Sequence, residues 1–256
     1  MDLTLLNILL IVAGGFFAGF VNAIAGGGTL ISFPALTFTG IPFVSANITS
    51  SVSLSPGYLA ATFAQLHDLK KYRHSLRYYI PIAALGGILG GYLLLISSDK
   101  VFKEIVPYLI LLACALLYFQ DKIKTLLAQF KKNINQAGKT HPWTFIAIFF
   151  AAIYGGYFGA GLSVIVLSIL ALSVNDDLTK LNALKQIIGF ATNMCAAVFF
   201  MFTRHVVWKA VLIMAMGAIA GGWTGGKFAG MIKPISLRYI VVVTGLLVSV
   251  FYFIKY

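Results

Sequence analysis

The sequence contains few charged residues, and acidic residues are the scarcest of them. Only 10% of its 256 residues are charged, and seven of these are acidic. In a water-soluble domain about a quarter of the residues are charged, whereas this chain is 60% hydrophobic and has a mean hydropathy of +0.93. The composition excludes an ordinary soluble domain and predicts a polytopic membrane protein.

The acidic residues also avoid the apolar runs of the sequence. Each lies in a polar loop or at the end of an apolar run: Asp2, Asp68, Asp99, Glu104, Asp121, Asp176 and Asp177. A carboxylate inside the bilayer is costly and is usually functional where it occurs. Because none is predicted there, we expect neither a proton pump nor a cation transporter that relies on a buried acid.

Histidine and cysteine are scarce as well, which removes most catalytic and metal chemistry. The four histidines fall in loops, and the two cysteines lie in apolar runs without the spacing of a metal site. We therefore predict no metal, no cofactor and no enzyme, and we interpret both cysteines as packing residues.

Basic residues are the one abundant charge and give a net charge of +12. They cluster in short loops between apolar runs, as membrane topology requires, so we expect no nucleic-acid partner. Fourteen of the 19 basic residues lie on one side if the loops at 67–77, 120–141, 175–185 and 227–238 are cytoplasmic. The positive-inside rule then predicts a cell-membrane protein with both termini outside. The first four residues lack a basic segment, so a removable signal peptide is not expected.

Ten apolar runs predict ten helical segments. They fall near 3–25, 29–39, 43–66, 76–97, 101–119, 142–158, 162–174, 180–203, 206–229 and 235–254. Most have the roughly 20 residues needed to cross about 30 Å of hydrocarbon, but 29–39 and 162–174 are too short to do so comfortably. Each short run follows a glycine cluster, and unwound backbone at membrane depth is tolerated only where it is buried in protein or lines a cavity. We predict two broken helices, whose short segments either turn back as re-entrant hairpins or cross fully.

The two halves of the chain resemble each other. Gly28 aligns with Gly161, Asn47 with Asn182, and the pair at 90–91 with the pair at 221–222, at nearly constant offsets. Each half has an odd number of crossings, so the second must be inserted upside down, as in many secondary transporters. The predicted fold is an all-α integral membrane protein of two inverted repeats, 1–119 and 142–256, with about five helical segments each. The basic stretch 120–141 between them is predicted to be a cytoplasmic linker, either a helix on the inner leaflet or a solvated connection.

Neutral polar residues form a stripe in each half where a membrane span is predicted. In the first half Asn47, Ser50, Ser51 and Ser55 share one helical face, and in the second half Asn182, Lys185, Gln186 and Asn193 do the same. Such stripes also serve hydrogen bonding between helices, and Lys185 could instead extend to the interface. The glycine breaks favour a site, because the N-termini of half-helices present unpaired N–H groups that attract anions. The predicted substrate-binding residues are Asn22, Gly26, Gly27, Gly28, Thr29, Asn47, Ser50, Ser51, Gly159, Gly161, Asn182, Lys185, Gln186 and Asn193.

Several of these motifs resemble the TauE/SafE family of sulfite exporters. The resemblance is carried by the run from Gly26 to Leu36, by Ala46-Asn47 with the Ser/Thr-rich stretch after it, by 155–161 and by 181–185. It covers about residues 14 to 253 and implies a multi-pass protein of the bacterial cytoplasmic membrane. It also implies a small sulfur-containing or organic anion as substrate, generally exported. The second cluster reads Gly-Ala-Gly at 159–161, so the two breaks are not expected to contribute equally.

We predict a transporter that moves a small anion by alternating access between the repeats. A passive anion channel stays open as an alternative, and so does an accessory subunit that docks a partner through 120–141. The expected partners are the anionic substrate and the lipid bilayer, and the sequence leaves a homodimer open.

Overall fold

The computed structural model describes residues 4–24, 26–64, 72–133, 142–174, 176, 178–228 and 234–255 and is helical almost throughout. It contains α1 (Leu5–Ile24), α2 (Thr29–Phe38), α3 (Phe43–Ala64), α4 (Arg73–Ile96), α5 (Asp99–Asn133), α6 (Pro142–Tyr157), α7 (Leu162–Ser173), α8 (Leu178–Met201), α9 (Trp208–Phe228) and α10 (Pro234–Lys255). No strand occurs in these residues. The all-helical class and the ten predicted segments are therefore confirmed.

Five stretches of the described helices are long and apolar enough to cross a membrane. They are Leu5–Ile24, His74–Ile96, Asp99–Ile123, Leu184–Met201 and Ile235–Lys255. By contrast, α2 has 10 residues and α7 has 12. At 1.5 Å per residue these helices measure roughly 15 and 18 Å, well short of the hydrocarbon thickness of about 30 Å.

The short helix α2 turns back along α1. The Gly28 N–H donates a hydrogen bond to Asn22 Oδ1 at 3.4 Å, while Gly14, earlier in α1, lies against the Ala35 side chain, later in α2. The start of α2 therefore lies beside the end of α1, and later residues of α2 lie beside earlier residues of α1, so the two helices pack antiparallel. This geometry agrees with the predicted hairpin rather than with a continued crossing.

An aromatic cluster buries α2 despite its shortness. The ring of Phe33, fully buried, makes edge contacts with Phe43, Phe102, Phe158 and Tyr252 at centroid distances of 5.8 to 6.3 Å. Such pairs contribute about 0.5–1.5 kcal/mol each beyond their buried area. The cluster ties α2 to α3, α5, α10 and the segment after α6.

The helices of the two halves interlock. The helix α1 packs chiefly against α9, and its counterpart α6 packs chiefly against α4; likewise α3 contacts α9 while α8 contacts α4. The central pairs α3–α8 and α5–α10 join equivalent helices. An internal repeat would produce this exchange of partners. The inverted insertion of the second half stays a prediction.

Glycines let the helices approach closely at these crossings. Gly217 and Gly221 of α9 lie against backbone atoms of α1, and Gly86 and Gly90 of α4 lie against backbone atoms of α6. A methyl group at any of the four positions would overlap a carbonyl oxygen. These small residues on the long helices therefore serve close packing between helices.

The predicted linker begins as a continuation of a membrane helix. The helix α5 runs unbroken to Asn133, so 120–133 is helical and not a flexible connection. The remaining linker residues, 134–141, lie outside the part of the chain that the structure describes.

Candidate functional site

The first glycine break separates α1 from α2 and depends on a left-handed backbone. Gly26 has φ of +80° and Gly27 has φ of +91°, a conformation that costs an L-residue about 1–2 kcal/mol. The Gly26 N–H donates to the Val21 carbonyl at 3.0 Å. Asn22, a predicted substrate ligand, uses its side-chain oxygen to accept the N–H of Gly28, so this oxygen holds the turn.

The second break also contains two left-handed glycines, although an alanine separates them. Gly159 and Gly161 have φ of +81° and +80°, and Gly161 directly precedes α7. The Gly159 N–H donates to the Tyr154 carbonyl at 3.3 Å, while the Tyr154 hydroxyl donates to the Ala160 carbonyl at 2.6 Å. Each break therefore needs two left-handed glycines, and Ala160 occupies a position between them that does not.

Several backbone N–H groups at the two breaks are left without an acceptor. Among the described residues, no hydrogen bond satisfies the N–H groups of Gly27, Thr29, Ala160, Gly161 and Ser163. Unpaired amides at the start of a helix carry the positive end of its dipole and bind anions. Both breaks therefore carry N–H groups without an acceptor among the described residues, and their contact with a substrate stays a prediction.

The two breaks lie next to each other on α5. The Ser163 Oγ is 3.6 Å from the position that a Cβ on Gly26 would occupy. Gly27 faces Leu117, and Gly161 faces Leu116 and Ala113. One stretch of α5 therefore supports both breaks, and the start of α7 contacts the turn before α2.

A small polar cavity opens beside the second break, between α7 and α8. Its lining consists of Leu162, Ser163, Val166, Lys185, Gln186, Gly189 and Asn193. The volume of about 10 Å³ accommodates roughly one water molecule and no larger solute. Three of the predicted ligands, Lys185, Gln186 and Asn193, meet here, and each carries a hydrogen-bond donor.

The α3 stripe performs a different task from the α8 stripe. The Ser50 and Ser32 hydroxyls are 2.6 Å apart, and Ser32 donates onward to the Gly28 carbonyl at 3.3 Å. Asn47 donates from Nδ2 to the Tyr157 carbonyl at 2.8 Å, which is the last carbonyl of α6. These side chains brace the ends of the broken helices, whereas Ser51 is half-buried and has no side-chain hydrogen bond in the described part.

Three asparagines complete the placement of the predicted residues. Asn193 donates to the Gly189 carbonyl at 2.9 Å, and its Oδ1 is 3.7 Å from the Cβ position of Gly159. The side chain of Asn182, in the first turns of α8, lies outside what the structure describes. The Asn47 Oδ1, in a side chain only 1% exposed, has no partner among the described atoms.

Sequence reasoning omitted Ser163, Val166, Gly189 and the side chain of Leu162 from the site, although it included the backbone amides of 159–162. Gly189 was detectable, because Lys185, Gly189 and Asn193 repeat every four residues and so share one helical face. No atom lies within 4 Å of its Cβ position, so this glycine leaves open space beside Lys185. The approach of α7 to α8, which adds the other three residues, has no local sequence signal.

Comparisons with known proteins agree with this architecture. The profile of the family described as "Sulfite exporter TauE/SafE" matches residues 11–252. The chain is 28% identical to "Probable membrane transporter protein" of Haemophilus influenzae, across 97% of this chain and 95% of that one. It is 30% identical to "Probable membrane transporter protein ORF9" of Sinorhizobium sp, across 91% and 89%, and 26% identical to "Probable membrane transporter protein YfcA" of Escherichia coli, across 96% and 88%.

No solved structure matches the chain. The relatives are named as transporters, which is consistent with the prediction that the chain is not an enzyme. The family match covers nearly the whole sequence and includes both glycine breaks. The chain therefore belongs to the TauE/SafE sulfite exporter family of membrane transporters.

Proposed function

We propose that this transporter exports a small oxyanion such as sulfite by alternating access between its two halves. The observation that carries the proposal is the meeting of the two glycine breaks beside a cavity lined by Ser163, Lys185, Gln186 and Asn193. Five N–H groups of the breaks have no acceptor among the residues that the structure describes. A substrate at this position would receive hydrogen bonds from backbone and side chains together.

The chemistry of the lining favours an anion. Lys185 supplies a positive charge, Gln186, Asn193 and Ser163 supply neutral donors, and the lining contains no carboxylate. Helix N-termini add positive partial charge from both breaks. Hydrogen bonds to an anion are roughly twice as strong as those between neutral groups. A small oxyanion has several oxygen atoms, each of which can accept a hydrogen bond from one of these donors.

The interlocked halves suggest how access alternates. The cavity of about 10 Å³ is smaller than an oxyanion, so α7 must move away from α8 for the substrate to enter. In the first half the Ser32–Ser50 contact ties α2 to α3. A closed site that opens to one side at a time fits a transporter better than a permanently open anion channel.

Thermal stability of the purified protein tests the site. Sulfite should raise the denaturation temperature of the wild type, because a ligand that binds only the folded state stabilises it. Lys185→Ala should reduce that increase strongly. Lys209→Ala, which removes the same charge from an exposed position at the start of α9, is the matched control and should retain it. An equal increase in both variants would remove Lys185 from the site.

A further inference from the structure

A buried arginine lies where α5 and α10 meet. Arg238 is only 8% exposed, and its Nη1 donates to Asp121 Oδ2 at 2.7 Å. The Asp121 side chain is 54% exposed, so one partner is fixed in the protein while the other can turn into solvent. The ion pair can therefore break by rotation of the exposed Asp121 side chain alone, without movement of a helix.

The guanidinium is not satisfied by this one partner. Arg238 Nε is buried and lacks a hydrogen-bond acceptor within the described chain. Gln120, which directly precedes Asp121 in the sequence, has a buried Oε1 that likewise lacks a partner there. A cavity of about 20 Å³ adjoins the pair, with Tyr118, Ile235, Tyr239 and Val242 completing its lining. A buried N–H group without an acceptor is costly, so the site favours a ligand that offers more oxygen atoms than the carboxylate contributes now.

This pair also lies in line with the first glycine break. Leu117 and Val241 are the side chains nearest to the Cβ position of Gly27. Leu117 precedes Asp121 by one helical turn on α5, and Val241 follows Arg238 by about one turn on α10. The arginine therefore lies one turn from the break, toward the end of the bundle predicted to be cytoplasmic.

We propose that Arg238 is a second binding station for the transported oxyanion, and that the Asp121 carboxylate occupies it when the anion is elsewhere. The proposal rests on the transport of an oxyanion inferred above. A planar guanidinium binds carboxylates and other oxyanions through the same paired N–H groups. The anion displaces Asp121, whose carboxylate turns outward, and then passes Leu117 and Val241 to reach the break.

Calorimetric titration of inorganic sulfite into the purified full-length protein tests this station. The wild type should bind two equivalents per chain, Arg238→Gln should bind one, and Arg238→Lys should bind the second more weakly. Asp121→Asn removes the competing charge and should tighten one site by about two- to fivefold, the range expected for a partly exposed ion pair. Glu104→Gln, at an exposed position nearer the other end of α5, is the matched control and should titrate as the wild type does.

The outcomes separate this station from the site at the breaks. Suppose that Asp121→Asn and Arg238→Gln both titrate as the wild type while Lys185→Ala loses binding. Arg238 then only joins α10 to α5 through Asp121, and the second station is refuted although the proposed function stands. If the wild type itself binds no sulfite, the proposed function fails first. Should Arg238→Gln not fold, Asp121→Asn decides alone, because a tightened site supports the station and unchanged affinity overturns it.

Discussion

Gly26 and Gly40 form a matched pair that separates backbone strain from a role in the site. Both have a left-handed backbone, with φ of +80° and +85°. An alanine at either position should lower the free energy of unfolding by about 1–2 kcal/mol, the cost of this conformation for an L-residue. At Gly40 the new methyl group meets no atom within 4 Å, whereas at Gly26 it lies 3.6 Å from Ser163 Oγ, between the two breaks.

The two variants should therefore differ in binding although they resemble each other in stability. In the proposed site, the methyl group of Gly26→Ala would lie next to the Gly27 amide and Ser163 and would hinder an anion from reaching that amide. Losing one hydrogen bond to a charged ligand, worth roughly 1.5–3 kcal/mol, corresponds to a roughly ten- to hundredfold weaker affinity. Gly40→Ala should bind with wild-type affinity. Calorimetry with sulfite and thermal denaturation measure the two quantities separately, and equal affinities in the two variants would show that the break does not contact the substrate.

Three further substitutions test the structural roles assigned above. Ser50→Ala removes the Ser32 contact and should lower stability by about 1 kcal/mol while sulfite affinity stays unchanged; a large loss of affinity would return Ser50 to the site. Gly221→Leu should abolish a monodisperse elution profile because α1 backbone lies against that position, whereas Gly222→Leu has room and should elute normally. Asn193→Ala, at the cavity, should weaken sulfite binding about tenfold through one charged hydrogen bond, and wild-type affinity would exclude it.

The fold was largely predictable because each helix has its own local signal. Glycine and proline punctuate the apolar runs, and the breaks at 26–28 and 159–161 fall where positive φ is required. The extent of α5 was the chief exception. The onset of lysines after Phe119 predicts a boundary there, yet no glycine or proline interrupts the chain between Pro107 and Asn133, so the helix continues.

The site was less predictable because hydrogen-bond partners come from distant segments. Ser50 meets Ser32 on another helix, and Asn47 reaches the carbonyl of Tyr157 in the other half. A polar stripe on one helix cannot reveal whether its donors are already used by a neighbour. Lys185 and Gln186 line a cavity, whereas the Ser50 hydroxyl contacts Ser32. Ser50 follows Asn47 by three residues, as Lys185 follows Asn182, yet the surroundings of the two side chains differ.

Counterflow of radiolabelled sulfite in proteoliposomes tests the central claim most directly. We expect sulfite uptake that saturates with concentration and accelerates when unlabelled sulfite is present inside. This uptake should be lost in Lys185→Ala and should need a higher sulfite concentration in Gly26→Ala. Uptake that rises linearly without acceleration, or that equals the rate in protein-free liposomes, would contradict alternating access of an oxyanion at the paired glycine breaks.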